Sequence, residues 1–144
     1  MTDAEYLEQC NDDYWRTLEK SGVDGLSRLQ RDALCIMNLQ AELNNGGLHQ
    51  YLINSSGDLA GETPAVLRRI GADDAAALLD RANAYFGPDG PPVDRDSRMG
   101  QLLALPEGRQ QEIHDLTDEF FDAEDRGLSL ADLFDAYVLS QRPT

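Results

Sequence analysis

Long apolar segments are missing from this 144-residue sequence, in which no apolar run exceeds five residues, as at Ala33–Met37. Because a membrane-spanning helix needs about 20 apolar residues, the sequence excludes one. The N-terminus, Met-Thr-Asp-Ala-Glu, is acidic and lacks the basic and apolar regions of a signal peptide. We therefore expect a cytoplasmic protein that has no contact with a membrane.

Metal-binding and nucleophilic motifs are also missing. The two cysteines, Cys10 and Cys35, lie among apolar residues, where buried free thiols are expected in a reducing compartment. The two histidines, His49 and His114, have no partner at the spacing of a zinc site or a catalytic triad. Phosphate-binding loops, nucleophile elbows and calcium loops do not occur. We expect no metal site, no cofactor and no catalytic residues, and hence no enzyme.

Positive charge is scarce. Twelve basic residues, of which only Lys20 is a lysine, stand against 27 acidic ones, and the net charge is −15. Such a chain is repelled by nucleic acid and by anionic membranes, and it is attracted to basic surfaces. We expect a basic protein as the partner and no direct binding to nucleic acid. A genome-wide compositional bias would also account for part of this acidity.

Apolar residues recur at helical spacing throughout the chain, and no segment alternates as a strand does. The pattern predicts an all-α fold, a single bundle-like domain over residues 1–144 with about seven or eight helices. The helices are expected at about 3–20, 27–44, 48–53, 64–70, 73–86, 97–104, 107–125 and 129–139, with Gly87–Pro92 irregular. The second helix is expected at the centre of the core because apolar residues surround most of it: Leu26, Leu29, Ala33, Ile36, Met37, Leu39 and Leu43.

The helix predicted over residues 107–125 carries an ordered row of acids. At about 100° per residue, six carboxylates fall within an arc of roughly 140°. Ile113, Leu116, Phe120 and Phe121 fall on the other side, where they would bind the helix to the core. We call the row of carboxylates the acidic stripe, and its members are Glu112, Asp115, Asp118, Glu119, Asp122 and Asp125.

The acidic stripe matches one DNA strand in linear charge density. It rises about 20 Å along the helix, a length in which one strand presents about six phosphates. The match concerns density only, because carboxylates and phosphates differ in geometry. A solvated helix face is the alternative interpretation, although like charges three and four residues apart cost a few tenths of a kcal/mol per pair.

The segment Glu42–Asp58, Glu-Leu-Asn-Asn-Gly-Gly-Leu-His-Gln-Tyr-Leu-Ile-Asn-Ser-Ser-Gly-Asp, is the most distinctive in the chain. It resembles the signature of a bacterial family of DNA-mimic proteins, in which an Asn-Gly-Gly, a Gln-Tyr and an Asn-Ser-Ser-Gly-Asp element recur. Similarity at Leu67–Ala72, at Ala84–Phe86 and in the last two helices extends the resemblance over about residues 25–140. The family motif consists of Asn45, Gly46, Gly47, Gln50, Tyr51, Asn54, Ser55, Ser56, Gly57 and Asp58.

The resemblance implies an all-helical protein that imitates duplex DNA and binds a DNA-binding protein or transcription factor, and it allows for a homodimer. The mimic's acidic positions follow no motif that aligns here, so the acidic stripe is inferred from this sequence alone. The family motif is interpreted as structural: its glycines suit a turn, Leu48, Tyr51 and Leu52 suit packing, and Asn54, Ser55 and Asp58 suit helix capping. The alternative is a polar pocket formed by Gln50, Asn54, Ser55, Ser56 and Asp58.

Three functional hypotheses follow from these patterns. The first is an acidic protein-binding module that mimics duplex DNA and occupies the basic surface of a DNA-binding protein. The second is a helical interaction or immunity-type module with mainly apolar contacts unrelated to DNA. The third is a small-molecule-binding protein that uses the Asn-Ser-Ser-Gly-Asp turn.

Overall fold

A computed structural model describes residues 1–127 and 129–143, and these residues form eight α-helices and no strand. The helices are α1 (Asp3–Ser21), α2 (Arg28–Asn45), α3 (Gly47–Ile53), α4 (Thr63–Arg69), α5 (Asp73–Asn83), α6 (Arg95–Leu103), α7 (Glu107–Asp125) and α8 (Leu130–Ser140). Short 3-10 turns occupy Val23–Gly25, Ser55–Leu59 and Ala84–Phe86. The all-α prediction is confirmed, and most helix bounds agree with the predicted ones within two residues.

Four helices begin at polar capping side chains. Each capping oxygen accepts a hydrogen bond from the backbone N–H three residues further on, which satisfies a donor that the first turn leaves free. In α1 and α2 the third residue also bonds back to the cap, so that both helices start with a capping box. The caps are Thr2, Ser27, Asp94 and Ser129.

Helix α2 lies at the centre of the core and packs against α3, α4 and α8. Its side chains Cys35, Ile36, Leu39 and Leu43 are buried, as the predicted central position requires. The prediction was wrong for Met37, whose side chain is 37% exposed. The physical reason is a cleft between α1, α2 and α8, which leaves this side of α2 partly open.

Helix α7 packs against α3 and α5 through one narrow face. Ile113, Leu116 and Phe120 are buried there, as predicted. The prediction that Phe121 would also bind the core was wrong, since this ring is 38% exposed. Phe121 lies about 100° further around the helix than Phe120, beyond the arc that the neighbouring helices cover.

The two cysteines are both free, but they differ in burial. Cys35 is fully buried, and this burial raises the pKa of its thiol to about 11. Cys10 is only partly buried, so the expectation of two buried thiols holds for Cys35 alone. Among the described helices, none is long and apolar enough to cross a membrane.

A buried ion pair joins α2 to α4. The Asp32 side chain is almost fully buried, and the Arg69 guanidinium approaches both of its oxygens, with Nη2 2.7 Å from Oδ1 and Nε 3.3 Å from Oδ2. The neighbouring Arg68 makes a single contact of 2.5 Å with Asp80, and both side chains of that pair are about half exposed. The two adjacent arginines therefore provide a buried and an exposed ion pair on one helix.

Replacing Arg69 with methionine is expected to lower the free energy of unfolding by about 3 kcal/mol, because the buried Asp32 carboxylate loses its counter-charge. The same substitution at Arg68 is expected to cost less than about 1 kcal/mol, because its pair with Asp80 is solvated. Urea unfolding followed by circular dichroism measures both values. Equal losses for the two variants would contradict this distinction.

Candidate functional site

The acidic stripe lies on the exposed side of α7. All six carboxylate side chains, at Glu112, Asp115, Asp118, Glu119, Asp122 and Asp125, are exposed. The same helix holds two further acids, Glu107 and Glu124, and its one basic residue is Arg109. Burial raises the pKa of Glu124, which lies on the side of α7 that turns towards the core. The structure thus brings the six predicted residues together on one surface.

Arginine side chains contact two members of the acidic stripe. Arg109 Nη1 lies 3.2 Å from Glu112 Oε2, and Arg81 Nη1 reaches from α5 to within 3.4 Å of Glu119 Oε1. The Tyr85 hydroxyl also donates a hydrogen bond to Glu112. Hydrogen bonds from Tyr85 and then from Arg109 lower the pKa of Glu112, which therefore remains ionised at neutral pH.

The four aspartates of the acidic stripe carry the uncompensated charge. Asp115 accepts a hydrogen bond of 3.0 Å from the Gln111 amide, which leaves its negative charge in place. Within residues 1–127 and 129–143, no ion pair forms at Asp115, Asp118, Asp122 or Asp125. These aspartates extend over about 15 Å of helix, at 1.5 Å per residue, so a row of net negative charge faces the solvent.

Two ring side chains of α7, His114 and Phe121, lie along one edge of the acidic stripe. The His114 ring stacks on His49 of α3, with centroids 4.5 Å apart and planes 18° apart. His49 Nε2 is in turn 3.0 Å from Gln110 Oε1. The exposed Phe121 follows two turns after His114 on the same edge. In the described part of the chain, no group of three or more His, Cys, Asp or Glu side chains is arranged to hold a metal ion.

The family motif holds α7 in position. The backbone N–H of Leu48 donates a hydrogen bond of 3.0 Å to Thr117 Oγ1 on α7. Gly47 has a φ of +87°, and a Cβ atom there would lie 2.7 Å from the same oxygen. Only glycine combines this backbone conformation with so close an approach. The start of α3 thereby fixes the position of α7 and determines which face of α7 remains exposed.

A buried arginine organises the second half of the family motif. Arg98 on α6 is fully buried, and the sequence gave no sign of it, because arginine is almost never fully buried unless it is paired. Its guanidinium donates hydrogen bonds to one carboxylate and to four backbone carbonyls, two at the end of α3 and two in the segment before α6. The acceptors are Asp58 Oδ1 (2.9 Å), Leu52 O (2.6 Å), Asn54 O (2.7 Å), Pro92 O (3.0 Å) and Val93 O (3.0 Å).

Two polar side chains of the family motif bind charged side chains of neighbouring helices. Asn54 was expected to cap a helix, and this was wrong: its side chain makes no cap and donates instead to Glu42 Oε2 at 2.9 Å. Asp58 likewise pairs with Arg98. A Cβ atom at Gly57 would lie only 2.3 Å from the carbonyl oxygen of Tyr51, so the turn closes tightly on α3. These contacts favour the structural interpretation over the polar pocket.

The remaining motif residues fill the same turn. Tyr51 is fully buried, as predicted, and its hydroxyl lies 3.4 Å from Thr63 Oγ1. Asn45 is the last residue of α2, and a Cβ atom on Gly46 would collide with the Gln50 side chain. Ser55 is exposed, whereas the Ser56 hydroxyl is buried and has no hydrogen-bond partner among the described residues.

Comparison with known proteins identifies the family. A family model described as DMP19-like protein (DNA mimic protein 19) matches residues 24–141, most of the chain. The chain belongs to the DMP19-like family. No curated protein and no solved structure matches it. The resemblance stated from the family motif is confirmed, and the matched range agrees with the expected one of about 25–140.

The range that the DMP19-like family model matches includes both sets of candidate residues, the family motif and the acidic stripe. Helices α2 to α8, with the family motif and the acidic stripe, lie within residues 24–141. Helix α1 ends at Ser21, before the matched range begins. The DMP19-like part therefore contains both the motif that positions α7 and the acids that α7 exposes.

Replacing Arg98 with lysine is expected to lower the free energy of unfolding by about 2 kcal/mol or more. A single ammonium group cannot reach five acceptors, and a buried carbonyl left without a donor, such as that of Leu52, costs about 1–3 kcal/mol. Arg95→Lys on the same helix is the matched control, because the exposed Arg95 donates to one acceptor among the described residues, the Ile53 carbonyl. Thermal and urea unfolding of both variants test this, and a stable Arg98→Lys variant would refute the structural role.

Proposed function

We propose that this protein is a DNA mimic that uses the acidic stripe on α7 to occupy the basic DNA-binding surface of a partner protein. One observation carries the proposal: six exposed carboxylates follow one helix face, and only two of them are paired with arginine. Membership of the DMP19-like family supports the same function.

The arrangement of charge suits a surface that normally binds phosphates. Six carboxylates over about 20 Å equal the phosphate density of one DNA strand, and the net charge of −15 adds a field of the same sign around them. Lysine and arginine side chains that bind phosphates also bind carboxylates as charged hydrogen-bond acceptors. The partner proposed here is a DNA-binding protein such as a transcription factor, because nucleic acid and anionic membranes would be repelled.

The experiment compares two variants that each remove four negative charges. The stripe variant carries Asp→Asn at positions Asp115, Asp118, Asp122 and Asp125. The control variant carries Glu8→Gln, Asp12→Asn, Glu19→Gln and Asp24→Asn, all exposed and all outside α7. Each immobilised protein captures partners from a lysate of the source organism at low and at high salt, and duplex DNA is then used for elution.

The wild-type and control proteins are expected to capture the same DNA-binding proteins at low salt and to release them to duplex DNA. The stripe variant is expected to capture at least about tenfold less, since each lost charge removes an attraction that salt also screens. Capture by the stripe variant at the wild-type level would refute the proposal. Capture that survives both high salt and duplex DNA would instead favour a module with apolar contacts.

A further inference from the structure

A cleft of about 410 Å³ lies between α1, α2 and α8. The buried side chains of Tyr14, Ile36 and Val138 line its base, and the more exposed Leu29, Met37 and Phe134 line its sides. A volume of roughly 300–1,000 Å³ is typical of sites for small molecules. The cleft has no lining residue in common with the acidic stripe, and the inference drawn from it is independent of the proposed function.

Helix α1 forms one wall of the cleft and is tied to the rest of the molecule near both of its ends. Near the start of α1, Arg142 contacts Asp3 Oδ1 at 3.3 Å and lies 4.7 Å above the centre of the Tyr6 ring. Near the other end, Gln30 Nε2 of α2 donates a hydrogen bond of 3.3 Å to Thr17 Oγ1. The middle of α1 faces the cleft between these ties, so the opening is part of the fold.

The polar groups at the rim select one kind of charge. Two carboxylates, Asp13 and Asp135, lie among the lining residues, and none of the lining residues is basic. Asp13 pairs with Arg16, whose side chain is 74% exposed. Asp135 is exposed and has no ion-pair partner in the described part of the chain. A cation at this rim would gain a charge-assisted hydrogen bond with the unpaired Asp135 carboxylate.

We propose that the cleft binds a small amphiphilic cation, with its apolar body between α1, α2 and α8 and its amine or guanidinium group at Asp135. The apolar lining stabilises the body by removing it from water. The amine gains a charged hydrogen bond at the rim. An anion of the same shape is disfavoured, because it would meet the unpaired Asp135 carboxylate and no basic lining residue.

Three probes with the same ten-carbon chain separate the contribution of charge from that of the apolar body. Decylamine is the cationic probe, decanol the neutral one and decanoate the anionic one. Isothermal titration calorimetry measures affinity and stoichiometry. The fluorescence of Trp15 on α1 also reports binding, because the centre of its ring lies 5.0 Å from that of Tyr14, which lines the cleft. We expect one decylamine per chain, about tenfold weaker binding of decanol and no binding of decanoate. Equal affinities, or several decylamine molecules per chain, would overturn the proposal.

Matched variants locate the binding. Asp135→Asn is expected to weaken decylamine binding about tenfold and to leave decanol binding unchanged, because only the charged contact is lost. Asp132→Asn, on the same helix but outside the cleft, is the control and should weaken decylamine binding much less, because it removes a nearby charge but no contact. Ala33→Phe should fill the cleft and prevent binding of both probes, whereas Ala41→Phe on the exposed side of α2 should not. Equal weakening by Asp135→Asn and Asp132→Asn would show general attraction to an acidic protein and refute the site.

Thiol labelling provides a readout that does not depend on heat or fluorescence. Cys10 lines the cleft and is partly buried, whereas Cys35 is fully buried and its pKa is raised to about 11. Iodoacetamide at about pH 8 should therefore modify Cys10 and spare Cys35, since the thiolate is the reactive form. Saturating decylamine is expected to slow the modification of Cys10 several-fold. An unchanged rate would contradict binding in this cleft.

Discussion

The burial of three apolar side chains on α7 is the interaction on which the acidic surface depends. Ile113, Leu116 and Phe120 together stabilise the packing of α7 by about 6 kcal/mol, at roughly 2 kcal/mol for each buried side chain. Six pairs of like charges three or four residues apart oppose this by about 2 kcal/mol in total. Burial outweighs the repulsion, so a helix that would be unstable alone can present a row of acids.

The family motif and the acidic stripe have different roles in this arrangement. The motif provides the support: Gly47 lets Leu48 bond to Thr117 of α7, and Arg98 ties the end of α3 to the segment before α6. The acids lie on the far side of α7 and contribute little to the packing. In this chain the motif therefore supports α7, while the charges on α7 determine what its exposed face presents.

Local patterns in the sequence predicted the helices well, because helical periodicity, caps and glycine stops act within a few residues. The fold class, the bounds of α7 and the buried positions Ile113, Leu116 and Phe120 follow from such patterns. Burial at the edge of the core does not follow from such patterns. Met37 and Phe121 were wrongly predicted to be buried, because their exposure depends on how far the neighbouring helices extend. Arg98 could not be recognised as a core residue, because its acceptors come from Leu52–Asp58 and from Pro92 and Val93.

The types of acid in the stripe have a consequence for the entropy of the binding that we propose. Its four aspartates have short side chains that hold their carboxylates close to the helix backbone. The two longer side chains, Glu112 and Glu119, are the ones that arginines restrain. Ordering a flexible side chain at an interface costs about 0.5–1.5 kcal/mol, and a charge already held near its final place avoids part of that cost. The carboxylates of the acidic stripe are accordingly held in place before any partner binds.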